Sequence, residues 1–167
     1  LIRIFLFLAI APLVYFFWEW GGAEKLMQSV HAPVEVNAIR VGTPAPDFVI
    51  DDKNTWVRKE FRLSSVKGYP VILHFWATWC GPCLLELPEM IRLAETLRPK
   101  GYTFIAVAID DSWATVEKFF VQYPQLKAMT NHMALILDSD SRVANMYSSS
   151  RFPETFLIND QMLIDNK

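Results

Sequence analysis

Two short runs constrain the fold more than anything else in this chain. Residues 70–77 (PVILHFWA) and 102–109 (YTFIAVAI) are apolar almost throughout. They lack the polar–apolar alternation of a strand with one wet face. Such runs suit strands buried on both faces, as in a parallel sheet with helices above and below. Between them Leu87, Met90, Ile91, Ala94 and Leu97 recur at helical spacing. This predicts a helix over residues 83–98, ended by Pro99 and Gly101. Pro88 falls inside it and is expected to kink it. Strand, helix and strand in this order make a right-handed βαβ unit, and the expected class is α/β.

The flanking sequence extends the pattern. Residues 42–47 (GTPAPD) open the folded part with proline-restricted, extended backbone. Residues 48–50 and 57–63 predict a short N-terminal hairpin around 51–54. Asp111 or Ser112 can cap a second helix running to about Tyr123, with Trp113, Val116, Phe119 and Phe120 on one side. Residues 134–137 form a brief strand. Ser139 or Asp140 then caps a short helix to Tyr147. Residues 155–158 make a further strand, and 162–164 begin its hairpin partner.

The N-terminus is of another kind. Residues 4–18 (IFLFLAIAPLVYFFW) carry no charge. As a helix they span roughly 22 Å, short of the roughly 30 Å hydrocarbon core. Leu1 and Ile2 lengthen the run if Arg3 snorkels to the interface. Tyr15, Trp18 and Trp20 suit a headgroup belt, and Arg3 before the run with Glu19 after it puts the remainder outside. Two readings stay open. Residues 1–20 are an uncleaved membrane anchor, or a secretory signal cut after Gly21-Gly22-Ala23. Both export the rest. A buried core helix fits less well, because the run is apolar all round. Residues 21–40 read as a linker and 41–167 as the folded domain. The net charge is −2 with no Lys/Arg stripe, which argues against nucleic-acid binding.

Only two cysteines exist, Cys80 and Cys83. A bridge across so short a loop constrains the unfolded chain little, so stability is a poor reason for it. Half a zinc site is the other structural reading, but no further cysteine exists and His31, His74 and His132 lack ligand spacing. The pair follows a buried strand and opens a helix. Unpaired N–H groups and the helix dipole stabilise an anion there. A thiol in that setting can fall from about 8.5 to about 7 or lower. Cys80, the outer one, is therefore the candidate nucleophile, and Cys83 the resolving thiol. Pro82 suits the first helical turn and stiffens the loop with Gly81, while Trp79 stands immediately before the pair.

Residues 71–88 (VILHFWATWCGPCLLELP) resemble the active-site segment of thioredoxin-like proteins. They are most like the membrane-anchored bacterial branch of ResA, TlpA and CcmG/DsbE type. Cys80-Gly81-Pro82-Cys83 followed by Glu86-Leu87-Pro88 carries that likeness, as do residues 41–48 (VGTPAPDF) and 151–158 (RFPETFLI). The resemblance covers roughly residues 41–164. It implies a central mixed sheet flanked by helices, with an N-terminal hairpin and an inserted helix. It makes Pro153 a cis-proline facing the disulfide, with the Phe152 backbone pairing with an extended substrate. Glu86 would lie near the cavity and affect thiol ionisation. His74 is a departure from the acid or asparagine usual at its position. It would accept the Cys83 proton, stabilise a thiolate if charged, or simply be a satisfied buried histidine. The family continues into another strand and a covering helix, so the domain is expected to be C-terminally shortened.

The implied activity is extracytoplasmic thiol–disulfide exchange, probing protein disulfides through Cys80, with reduction the favoured direction. Apocytochrome c cysteines are a candidate substrate and a membrane protein the electron donor. The redox-active pair is the only redox group expected, with no metal or other cofactor. The alternatives are an oxidase or isomerase using the same cysteines, or a non-enzymatic copper-handling protein. The copper relatives use a wider spacing with a partner histidine that is absent here.

Overall fold

In the computed structural model, which describes residues 39–167, both apolar runs are central strands of one sheet. The strands are β1 (Val49–Ile50), β2 (Phe61–Arg62), β3 (Val71–Trp76), β4 (Thr103–Ala108), β5 (Ala134–Leu137), β6 (Glu154–Ile158) and β7 (Ile164–Asn166). The helices are α1 (Gly81–Leu97), α2 (Trp113–Gln122), α3 (Met129–His132) and α4 (Arg142–Met146). The five-stranded sheet has the order β5-β4-β3-β6-β7. β4 runs parallel to β3 and β5, β6 antiparallel to β3, and β7 antiparallel to β6. The sheet is thus mixed, and β1 and β2 pair separately.

Every residue of β3 is buried. Ile72 and Trp76 join a cluster with Cys83, Leu87, Met90 and Ile91 of α1 and Phe119 and Phe120 of α2. Val71, Leu73 and Phe75 join a second cluster with Phe48, Tyr147 and Phe156. Alternate residues of one strand feed opposite cores, so both sets are apolar apart from His74. That is the physical origin of the continuous apolar run.

Several boundaries differ from expectation for identifiable reasons. The hairpin shrinks to two residues per strand. Residues 55–56 are drawn instead to the edge of the sheet: Thr55 bridges Ile136, and the Trp56 N–H donates to the Leu135 carbonyl at 2.9 Å. The Thr55 hydroxyl closes the following loop by donating to the Lys59 carbonyl at 2.7 Å and accepting its N–H at 2.9 Å. α1 starts two residues earlier than expected, because Cys80 itself is the cap and Pro82 fits the first turn. Pro88 lies within α1 without ending it. Ser112 caps α2, accepting the Thr115 N–H at 3.4 Å. α4 is held by neither Ser139 nor Asp140 acting alone: the buried Asp138 carboxylate accepts the Val143 and Ala144 N–H groups at 3.0 and 2.9 Å. The short helical stretch through α3, begun at Pro124, is too brief to show a readable period. β7 begins at Ile164, after a turn in which Met162 takes a φ of 67°.

The described residues lie in one compact unit, Ala38–Lys167. The expected anchor or signal, 1–20, and all but the last residues of the linker fall outside the described residues. Among the described residues no helix is long and apolar enough to cross a membrane.

Candidate active site

At the end of β3 the chain makes one turn and enters α1. The Cys80 N–H donates to the Ala77 carbonyl at 3.2 Å, closing residues 77–80. Cys80 is then the N-cap of α1, its Sγ accepting the Cys83 N–H at 3.2 Å. An otherwise unpaired amide of the first helical turn therefore points at sulfur. Such a geometry favours the anionic form of that atom. The two cysteines are joined as a disulfide, with Cα atoms 5.3 Å apart. Cys83 is fully buried, whereas Cys80 keeps 5% exposure, and Gly81 and Pro82 are exposed beside them. Any attack on the bridge from solvent meets Cys80 first.

An aromatic pair stands next to the disulfide. Trp79 is 66% exposed, and its ring meets that of Phe152 edge-on at 6.1 Å. Phe152 also packs against the cluster that holds both cysteines. The Phe152–Pro153 peptide bond is cis. β6 follows directly, pairing Glu154 with Phe75 and Thr155 with His74. The antiparallel β3–β6 register is what brings residues 152–153 back to the turn after β3.

His74 is 1% exposed and sits between Ile72 and Trp76 on the face of β3 turned to α1. Its Nδ1 is 2.9 Å from the Thr155 hydroxyl, while its Nε2 is buried without a partner. Burial lowers its pKa from 6.5 to about 4. The ring is neutral at physiological pH, because its apolar surroundings do not support an imidazolium. Nor is it a fully satisfied histidine. Glu86 is half-buried on α1, and its side chain forms no hydrogen bond or ion pair with another described residue. The structure does not tie it to the disulfide.

Two residues that the sequence did not single out also belong to this neighbourhood. Asp110, just past β4, is 2% exposed. Its carboxylate accepts the Thr78 N–H at 3.2 Å on each oxygen and the Thr78 hydroxyl at 2.6 Å. Burial holds the Asp110 carboxyl above the usual range, against the opposing pull of the Thr78 bonds. The only sequence signal was a carboxylate abutting a buried strand. Among the described residues no group of three or more His, Cys, Asp or Glu side chains is arranged to hold a metal ion.

A five-stranded mixed sheet flanked by helices, with a disulfide at a strand-to-helix turn and a cis-proline strand beside it, defines a thioredoxin-like fold. The sequence model of the AhpC/TSA family matches residues 41–167, and the chain belongs to that family. It is 36% identical over 124 residues to the thiol-disulfide oxidoreductase ResA of Bacillus subtilis, covering 74% of this chain and 64% of that protein. It is equally 36% identical over 124 residues to the ResA of Geobacillus kaustophilus, covering 74% and 66%. The chain thus spans less than two thirds of the length of either relative. Among solved structures, one from Chlorobium tepidum assigned as the thiol:disulfide interchange protein DsbE superposes with a TM-score of 0.65 at 28% identity, covering 76% of this chain and 83% of that one.

Proposed function

We propose that this protein is an extracytoplasmic thiol–disulfide oxidoreductase that reduces disulfides in protein substrates through Cys80 and Cys83. The observation that carries the reading is the Cys80–Cys83 bridge at the N-terminus of α1, with the Cys83 N–H aimed at Cys80 Sγ. The relatives named as thiol-disulfide oxidoreductases support it.

In the reduced protein the Cys80 thiolate attacks a substrate disulfide. A mixed disulfide forms on Cys80 and one substrate thiolate leaves, taking up a proton. Cys83 then loses its proton and attacks Cys80 Sγ. The second substrate thiol departs, and the Cys80–Cys83 bond closes. Two electrons pass from the dithiol to the substrate. His74 is proposed as the neutral acceptor for the Cys83 proton, on the strength of its free, buried Nε2 on the α1 side of β3. Glu86 is proposed as a second route for that proton. Trp79 and Phe152 form the apolar rim, Gly81 and Pro82 keep the bridge accessible, and the cis bond at Pro153 leaves the Phe152 backbone for an extended substrate segment.

The remaining assignments extend the same reading. Residues 1–20 tether the domain to the outer face of the inner membrane, 21–40 link it, and 41–167 carry the activity. A membrane protein returns electrons to the pair, and apocytochrome c cysteines are the substrate class. The redox-active disulfide is the whole redox apparatus, without metal or added cofactor.

Trapping tests this directly. Cys83→Ala is expected to hold its substrate as a mixed disulfide on Cys80, released by dithiothreitol, and Cys80→Ser to trap nothing. Absence of any adduct on Cys80 would reject the exchange reading. A reduction potential near about −120 mV, typical of a strong oxidant, would reverse the direction.

A further inference from the structure

We propose that Asp110, acting through Thr78, is a positioning residue that sets the Trp79–Phe152 platform for protein substrates, and leaves the reactivity of the disulfide itself largely alone. The assignment rests on the exchange activity proposed above.

The geometry begins with the turn. Ala77, Thr78, Trp79 and Cys80 form one turn, closed by the Cys80 N–H on the Ala77 carbonyl. That single backbone bond leaves the two central residues, Thr78 and Trp79, to be fixed by something else. Trp79 is 66% exposed, and among the described residues its aromatic contact is Phe152 at 6.1 Å. Thr78 is gripped from the neighbouring strand, at its amide by both Asp110 oxygens and at its hydroxyl by Oδ1. Asp110 comes from the end of β4, which is parallel to β3 and buried throughout its last five residues. The grip is therefore anchored in the core and applied one residue before Trp79 and two before the nucleophile.

The grip has to offset a desolvation cost. A buried carboxylate loses its hydration, which costs several kcal/mol unless a cation or strong donors compensate. No described cation lies within ion-pair distance of Asp110, and the charge that acts on it, Asp111, is repulsive. The strands need no such group, since the Ile109 N–H already continues the ladder to the Trp76 carbonyl at 2.9 Å. What Asp110 holds that the sheet does not is Thr78. Cys80 Sγ, by contrast, is oriented by α1 and by its bond to Cys83. Loosening Thr78 should disturb the exposed ring of Trp79 first and the sulfur pair least.

Two substrates of different size separate these effects. The full chain and its Thr78→Val, Thr78→Ser and Asp110→Asn variants are compared in two reactions: reduced protein with insulin, and oxidised protein with dithiothreitol. Thr78→Val keeps the shape and removes the hydroxyl; Thr78→Ser keeps the hydroxyl. The expected result is an insulin reaction about tenfold slower in Thr78→Val and Asp110→Asn, expressed in the insulin concentration that gives half the limiting single-turnover rate more than in that limiting rate, with the dithiothreitol reaction changed less than about twofold and Thr78→Ser close to the parent. The Trp79 contribution to fluorescence, defined against Trp79→Phe, should shift in Thr78→Val. Equal losses with both substrates, an unchanged insulin rate, or failure of Thr78→Ser to restore it would overturn the assignment. A parent chain inert toward both reagents would instead contradict the exchange activity, while the Trp79 emission of Thr78→Val would still report on the grip.

Discussion

Cys80 Sγ accepts the Cys83 N–H, so the atom that caps α1 is also the atom proposed to attack a substrate. Serine is a good N-cap and alanine is not. In the reduced state, Cys80→Ser should therefore unfold at higher denaturant than Cys80→Ala by about 0.5–2 kcal/mol, although both lose exchange. Equal midpoints would show that the sulfur caps nothing. His74 makes a prediction of definite sign. Its folded pKa, about 4, lies below the unfolded value of 6.5. Between these values the unfolded chain binds more protons, so stability rises with pH through that window and falls as the solution is acidified from 6.5 toward 4. The full effect is about 3 kcal/mol. Asp110 and Asp138, raised by burial, act in the opposite direction above 3.8. The comparison of parent with His74→Asn across this range cancels them, and the variant should lose less stability on acidification. A variant that tracks the parent would mean that His74 is solvated in the folded state.

Among the elements, β3 and α1 were legible because each carries a period long enough to read. β3 is continuous because both its faces are buried, and α1 shows Leu87, Met90, Ile91 and Ala94 on its inner side. The short elements were not legible in the same way. β1 and β2 pair over two residues each, and Thr55 and Trp56, which lie between them in the chain, pair with β5. α4 is set by Asp138, a residue belonging by sequence to the end of β5, whose carboxylate takes two amides of the helix. Replacing Asp138 by alanine leaves two buried donors unpaired and should cost about 2–4 kcal/mol in unfolding free energy. A loss below about 0.5 kcal/mol would show that water replaces the cap. Ser139→Ala, by contrast, should be close to neutral, since Ser139 is exposed and makes no bond to α4.

On the scale of the whole molecule, one sheet serves two cores. Phe75 is fully buried in the second core, ringed by Tyr147 at 5.8 Å and Phe156 at 5.8 Å, and it lies five residues before the nucleophile on the strand that delivers it. Phe75→Ala should destabilise by about 3–5 kcal/mol, read from urea midpoints, and unfolding should remain a single transition. Two separated transitions would mean that the two cores fold independently. The site inherits this architecture: β3 supplies the turn, β4 supplies Asp110, and β6 supplies Thr155 and the residues that follow the cis bond.

The amino-acid order alone determined where the central strands and α1 lie and that the two cysteines, Cys80 and Cys83, stand where the strand run gives way to the helix. Those features depend on local period and on there being just two cysteines, three apart. Tertiary structure alone decided that Thr155 meets His74, 81 residues apart, and that Asp110 meets Thr78, 32 apart. Such pairs are fixed by strand order and register, which follow from the packing of the whole sheet and leave no trace in the neighbourhood of either residue. The protonation state of His74 belongs with them, because an imidazole becomes a weak base only once the two layers above and below it have closed.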